Sequence, residues 1–428
     1  MPMRVGIIPG KIEFIFHTFV CILMMGAFFP MFRSLLGIHS QALEGDPFQR
    51  AVLTTAYALA LLSLCFQLRE VLLMIASTPV LWLLMLWATL SILWSDFPDV
   101  AFRRVLALWL TSLYGLVLCL RFEFKSLLRL LGGALLVVLA ASLALVILFP
   151  DWAVMGPPLL GNWRGVFIHK NHLGRFSALA LLVAGVLFLL SEKTVERIFW
   201  GVAITVALVT LLGSQSLSAL AVSSGMILSV LFLKTVLRRK KLVWLWLLLF
   251  MIVAAVAVFL LAQNYERVMV EGLDKDASLS GRLPLWRSLF EKIASEPLLG
   301  YGYGTFWLGA DGPAADIWKK LNWEVPHAHN GYLDLWLHLG LPGVCLGLYL
   351  LLQLFVLSIK NLFSAMPAAW FWVLLLLYLI SYNLVESIFL SVNSLFMVLI
   401  VYSCVVLQRR RSAPVLDSAG TETCCRSE

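Results

Sequence analysis

Two histidines, His327 and His329, stand one residue apart in VPHAHNGYLDLWLHLGLPG (residues 325–343), at the start of a strongly apolar stretch. An imidazole in that position can move a proton, ligate a metal or make a structural hydrogen bond. Asn330 is a good helix N-cap and Gly331 opens the apolar run, so His329 is expected just outside a helix N-terminus. The helix dipole and partial desolvation there favour the neutral ring, the form that accepts a proton. An H-x-H pair is a weak metal signal. The sequence supplies no HExxH, EF-hand loop or cysteine partner to complete a tetrahedral site, and no metal is expected. Asn330 either orients His329 or only caps the helix, and His327 either meets substrate or makes a structural hydrogen bond.

Two further segments concentrate polar residues. In DWAVMGPPLLGNWRGVFIHKNHLGRF (151–176), Arg164, His169, Lys170, Asn171, His172 and Arg175 arrive within twelve residues. Long basic side chains at a membrane edge can simply reach up to headgroups. Five cationic or imidazole groups so close together repel one another, however, and an anion bound among them is the more economical account. In SLSGRLPLWRSLFEKIASEPLLGYGYGTFW (278–307), Ser280 reads as an N-cap, and Leu285, Leu289 and Ile293 with Trp286 and Phe290 form an apolar stripe at helical spacing. This predicts an amphipathic helix on or near the membrane with Arg282 in its first turn. A cation there opposes the helix dipole, an arrangement that makes sense if Arg282 and the free N–H groups share an anionic ligand; the alternative is a solvated arginine. Gly300, Gly302 and Gly304 alternate with Tyr301 and Tyr303 as a flexible turn. It is not a phosphate loop, since no strand precedes it and no GK[ST] follows.

The elements that must carry these segments follow from composition. With 61% hydrophobic and 13% charged residues and a mean hydropathy of +0.93, most apolar runs belong in lipid, so the chain reads as an all-α polytopic membrane protein. About twelve transmembrane helices are expected, near 12–32, 50–67, 78–94, 102–120, 126–149, 173–190, 196–212, 217–234, 242–262, 331–359, 367–385 and 388–408. The basic runs at 238–241 and 409–411, with Arg121, Lys125, Arg129, Lys193 and Arg197, mark the cytoplasmic side. Residues 1–262 then hold helices 1–9, 263–330 form an outward loop containing the amphipathic helix, 331–408 hold helices 10–12, and 409–428 are a cytoplasmic tail. The formal charge of +8 is scattered among loops and does not indicate nucleic acid. The first span reads as retained and not as a cleaved signal peptide. The seven cysteines have neither metal nor disulfide spacing. No internal repeat is visible. Glu386, with Asn383 and Asn393, is the deepest polar group and reads as helix-to-helix hydrogen bonding.

His329-Asn330, followed after nine residues by Gly340-Leu341-Pro342-Gly343, resembles the H-N-x9-G-x-x-G signature of the O-antigen ligase and Wzy-type polysaccharide polymerase superfamily. GRLPLW at 281–286, PLLGYGYGTF at 297–306 and FIHKNHLGRF at 167–176 anchor the likeness. LWSDFP at 93–98, followed by Arg103 and Arg104, is similar to the exopolysaccharide polymerase branch. The resemblance runs from about residue 80 to residue 408. It implies a GT-C-like helical fold with one large periplasmic loop, in the bacterial inner membrane. It also implies a metal-independent glycosyltransferase without cofactor, whose donor is a glycan on undecaprenyl diphosphate and whose chemistry faces the periplasm. Matched to the family pattern, His329 takes the proton from the acceptor hydroxyl and Arg282 is the loop arginine. Arg164, Lys170 and Arg175 bind the diphosphate. Beside these family positions, Asn330 and His327 are expected to be substrate-binding from their place next to His329. A flippase and a chain-length regulator are the implied partners. Polymerisation of repeat units is the leading activity; transfer of finished glycan to lipid A core or protein by a ligase, and transport of lipid-linked sugar, are the alternatives.

Overall fold

The computed structural model describes residues 10–35, 37, 47–157, 159–237, 282–309, 312–362 and 367–412. The helices before the first polar cluster are α1 (Lys11–Met24), α2 (Phe29–Leu35), α3 (Pro47–Cys65), α4 (Leu68–Ser77), α5 (Pro79–Leu90), α6 (Pro98–Arg121), α7 (Phe124–Leu148) and α8 (Pro150–Ala153). There follow α9 (Lys170–Leu190), α10 (Thr194–Ser214), α11 (Leu217–Leu237), α12 (Arg282–Ser295), α13 (Ala315–Leu321), α14 (Gly331–Leu362), α15 (Pro367–Asn383) and α16 (Leu395–Ser412). Among the described residues the only β pairing is an isolated bridge, Val154 to Trp163. An all-helical scaffold is what lipid demands, because each backbone polar group must be satisfied within its own segment.

Among the described residues, α3, α6, α7, α9, α10 and α14 contain stretches long and apolar enough to cross a membrane, and α4 with α5 and the 3-10 turn after it forms a pair bent by 92°. Leu217–Val230, Ala369–Asn383 and Leu395–Arg409 are shorter apolar helices. Among the described residues the protein is thus almost entirely helical, with the apolar helices of a multi-pass membrane protein. The expected first span is divided by Gly26, which has φ +71°, into α1 and α2. The expected ninth span (242–262), the Ser280 cap and the first part of the outward loop (263–281) lie outside the described residues. The last span starts at Leu395, not near 388, because residues 384–394 form a non-helical segment containing Leu390 and Asn393 at positive φ.

Helix packing relies on small residues at close crossings. A Cβ on Gly115 of α6 would meet Val401 of α16 at 2.8 Å, and one on Gly174 of α9 would meet Ser216 at 2.8 Å and Ala219 of α11 at 2.9 Å. The motif glycine Gly340 does something else. It has φ +63° and ψ −166°, which breaks α14, and the chain at 297–301 docks into the break. Leu341 N–H donates to Pro297 O (3.0 Å) and Tyr301 N–H to Leu337 O (2.7 Å). The indoles of Trp87, Trp94 and Trp336 donate to Leu339 O, Leu299 O and Pro297 O. Backbone groups released by the break are therefore bonded again by the inserted loop. At Gly340 a Cβ would overlap the Leu298 carbonyl.

Gly340→Ala is accordingly expected to cost about 2 kcal/mol or more, from positive φ and the lost loop seat, and to lower the melting temperature of detergent-solubilised protein by several degrees. Gly133→Ala, where nothing lies within 4 Å of the added methyl, should leave it unchanged or raise it.

Candidate functional site

The break in α14 seats the 297–304 turn, and the preceding N-terminus of α14 carries the histidine pair. Asn330 caps the helix: its Oδ1 accepts from Tyr332 N (3.0 Å) and Leu333 N (3.2 Å). Gly331 lets α14 touch the end of α15, since any Cβ there would overlap the Asn383 amide. Asn383 Oδ1 in turn accepts from Ile388 N (3.2 Å) and Phe389 N (3.1 Å), shaping the turn that holds Glu386. The short-range logic of H-N-G is thus a cap followed by a close approach.

That approach brings Glu386 against the histidines. Its Oε2 lies 3.4 Å from His329 Nδ1 and 3.6 Å from His327 Nε2. Its Oε1 accepts from Asn171 Nδ2 at 3.0 Å and lies 3.7 Å from an Arg282 guanidinium nitrogen. Five residues from α9, α12, the turn before α14 and the turn after α15 therefore meet at one carboxylate, which is only 5% exposed. Burial would raise the Glu386 carboxyl. The contact with His329 and the positive charge around it, including Arg175, prevail and hold it well below the ordinary carboxylate range. The site contains an ionised, buried carboxylate at neutral pH.

The histidine backbone is held in an unusual conformation. His329 has φ +50°, a strained region for a non-glycine residue that persists only when its surroundings enforce it. Its N–H donates to His327 Nδ1 at 3.1 Å. Buried Asp334 accepts from Ala328 N (3.1 and 3.2 Å), from the Trp307 indole (2.8 Å) and from the Ser387 hydroxyl. Trp323 stacks on the His329 ring, with centroids 5.8 Å apart. Because His327 Nδ1 accepts a bond, the proton of a neutral ring sits on Nε2, directed at Glu386. Burial, with His329 beside it, pushes the His327 ring down to about 3, so it is uncharged at neutral pH. His329 turns Nδ1 toward Glu386, a long contact of the kind that tightens when substrate closes the site, and this leaves Nε2 for a reacting proton.

The remaining expected residues separate. Arg175 packs its guanidinium over Phe176 and Phe396 at 5.3 and 5.2 Å, close enough to act electrostatically on Glu386. Lys170 donates to Gln215 O at 3.3 Å, toward the α10–α11 turn. Arg164 donates through Nε to Trp152 O at 2.7 Å and lies over the Trp152 ring, anchoring its own segment. His169 caps α9 by accepting from Asn171 N at 3.2 Å. Asn171 and Glu386 were the members the sequence did not assign to the site. The reading of Glu386 as helix-to-helix glue gives way, because it sits in the turn after α15 with histidine and arginine partners. An ionisable residue within an apolar stretch was the available signal.

His327, His329 and Glu386 each present a ligand atom, all within 4.8 Å of one another, so the structure supplies the third donor that the H-x-H pair lacked. Arg282 at 3.7 Å from the same carboxylate and Arg175 nearby already supply positive charge, and a divalent cation there would be repelled by both. The arrangement suits proton transfer beside an anion better than metal ligation.

Fold and site together define a multi-pass membrane protein with a buried carboxylate, histidine and arginine centre at a helix entrance. Residues 201–348 match the family described as O-antigen ligase, a stretch that includes Arg282, His327, His329 and Gly340 and ends before Glu386. Over 290 residues the chain is 28% identical to the exopolysaccharide production protein ExoQ of Rhizobium meliloti (strain 1021), with 65% of this chain and 65% of that protein covered. Both matches bear out the resemblance to the O-antigen ligase and Wzy-type superfamily.

Asp334→Ala leaves a buried backbone N–H, an indole and a hydroxyl without their acceptor. It should cost about 3 kcal/mol, seen as a lower melting temperature in detergent; an unchanged melting temperature would show that the clamp does not hold the histidine turn.

Proposed function

We propose that the protein polymerises oligosaccharide repeat units carried on undecaprenyl diphosphate, at the periplasmic face of the bacterial inner membrane, as a metal-independent glycosyltransferase. The observation that carries this reading is the convergence of His329, Arg282, Asn171 and His327 on buried Glu386. A base oriented by a carboxylate, next to fixed guanidinium groups, is what transfer from a lipid diphosphate requires. His329 Nε2 takes the proton of the acceptor hydroxyl as that oxygen attacks the anomeric carbon. The bond from that carbon to the diphosphate breaks, and the leaving group keeps the electron pair. Glu386 holds the His329 ring and stabilises the imidazolium formed. Arg282, with Arg175, stabilises the departing diphosphate. His327 acts as a neutral spacer fixing the ring of its neighbour. Twelve spans with both termini in the cytoplasm, and a periplasmic loop at 263–330, complete the topology; a flippase and a chain-length regulator are the expected partners.

The printed family description, O-antigen ligase, favours a second reading, in which the same centre transfers finished glycan to lipid A core or protein. The relative's name, an exopolysaccharide production protein, favours the polymerase. The two are separated by giving purified protein synthetic undecaprenyl-diphosphate repeat units in EDTA, with and without lipid A core. A ladder of lipid-linked oligomers without added acceptor is expected; transfer only to the core would make the protein a ligase. His329→Ala should reduce the rate by about 10² to 10⁴ without lowering the melting temperature, and near-normal product at equal expression would remove His329 from the mechanism.

Glu386→Gln keeps the size of the side chain and removes its charge, and it should lower the rate of oligomer formation while leaving the protein folded; a rate equal to that of wild type would mean that Glu386 does not act on the base.

A further inference from the structure

Next to the Glu386 centre lies a cavity of about 530 Å³, within the range of about 300–1,000 Å³ found for ligand pockets. His327 lines it and belongs also to the centre, so the two spaces adjoin. One wall has an unusual make-up: every residue from Ser387 to Ser394 lines the cavity, and none of them is helical. Between two apolar helices, backbone of this kind is tolerated where protein buries it or where it borders a cavity.

The segment is held in a fixed shape. Asn393 N–H donates to Thr111 Oγ1 at 3.0 Å, the Tyr57 hydroxyl donates to Asn393 Oδ1 at 3.2 Å, and the Tyr303 hydroxyl donates to Leu390 O. Leu390 at φ +51° and Asn393 at φ +55° lie in the left-handed region, which persists for such residues only where the surroundings enforce it. What this wall carries is polar and uncharged. The Ser391 hydroxyl donates to Ser387 O at 3.2 Å and keeps its lone pairs, and the Asn393 amide does not use Nδ2 in its bond with Tyr57.

His338 joins the wall from α14. Its ring lines the cavity and meets Tyr303 edge to face with centroids 5.8 Å apart. Its Nε2 is buried and has no hydrogen-bond partner among the described residues. A buried polar atom left without a partner is costly, and a hydroxyl brought in by a ligand removes that cost. Tyr303, Trp307 and Phe389 add aromatic surface to the same lining. Aromatic faces with a few fixed, neutral hydrogen-bonding groups suit a ring rich in hydroxyls.

We infer that the 387–394 segment and His338 form a sugar-selecting wall, which binds the hydroxyls of an uncharged sugar residue of the substrate glycan. The assignment to a glycan rests on the transferase reading. At about 1.5 Å of rise per residue, His338 lies about 12 Å along α14 from the cap at Asn330, so the sugar selected here is held beside the reacting proton and not at it. Basic residues from α3, α6 and α9 also line the cavity, and the test therefore includes a charged sugar.

The test is saturation-transfer NMR on the full chain in a sugar-free detergent, titrated with methyl glucoside, methyl galactoside and methyl glucuronide. At least one of the two neutral glycosides is expected to bind the wild type. His338→Leu should weaken that binding about tenfold while the melting temperature holds or rises, because the ring nitrogen has no protein partner to lose. Ser391→Ala should weaken it as well. Ser358→Ala removes another buried, unpartnered polar atom of α14, one outside the cavity lining, and should leave the affinity unchanged. No binding of either neutral glycoside, binding of the glucuronide alone, or wild-type affinity in His338→Leu overturns the proposal. Should His338→Leu not fold, wild-type affinity in Ser391→Ala overturns it instead. Adding the lipid-linked repeat unit identifies the source of the sugar: a glycoside recovered with a repeat unit joined to it occupies the acceptor position, and one that only inhibits occupies the donor position. His329→Ala should bind the glycoside as the wild type does, so failure of the transferase reading and failure of the sugar wall are told apart.

Discussion

A buried carboxylate must be paired, because an ion taken from water without partners costs more than a fold's whole stability margin can absorb. Glu386, 5% exposed, imposes that requirement, and the architecture around it can be read as the answer. Asn171 at the start of α9, Arg282 at the start of α12 and the histidines before α14 are far apart in the chain, yet each presents its polar atom to the same two oxygens. Helix entrances are where such groups can be delivered, since the helix interiors are committed to apolar packing. Removal of a single partner would leave the others solvating an under-compensated charge.

The second constraint is the strained histidine turn. A left-handed His329 is tolerated because Asp334 grips the backbone on one side and His327 accepts the amide on the other. Behind these, Gly331 permits contact with Asn383, and Gly340 opens α14 to the 297–301 loop. The spacing between the histidine and the glycine pair therefore measures helix: from the cap at Asn330 to the break at Gly340, the length of α14 that joins the reacting ring to the loop holding its shape.

Much of this was legible in the sequence. Apolar runs announced the helical, multi-pass character, since lipid allows few alternatives, and the stripe Leu285, Leu289 and Ile293 marked α12, where all three are buried. On sequence grounds Asn330 can cap the helix or orient His329, and in the structure its side chain caps the helix. Local patterns could not say which basic residues meet. Arg164, Lys170 and Arg175 are equivalent by spacing, but helix direction sends Lys170 toward Gln215 and Arg175 toward Phe396. Glu386 was visible as a lone deep carboxylate; its partners were not, because they are assigned by the tertiary fold. Residues 388–394 looked like the beginning of a helix because their composition is apolar, and the positive φ of Leu390 and Asn393 is apparent only in three dimensions.

The central claim is that Glu386 acts through His329 and not by itself. The most direct test is a double-mutant cycle on the transfer rate, comparing His329→Ala, Glu386→Gln and the two together under identical conditions. If the carboxylate works by orienting and stabilising the ring, removing it from a protein that already lacks His329 should cost almost nothing further. If the two losses simply multiply, Glu386 contributes through some other contact, and the account of the site given above is wrong.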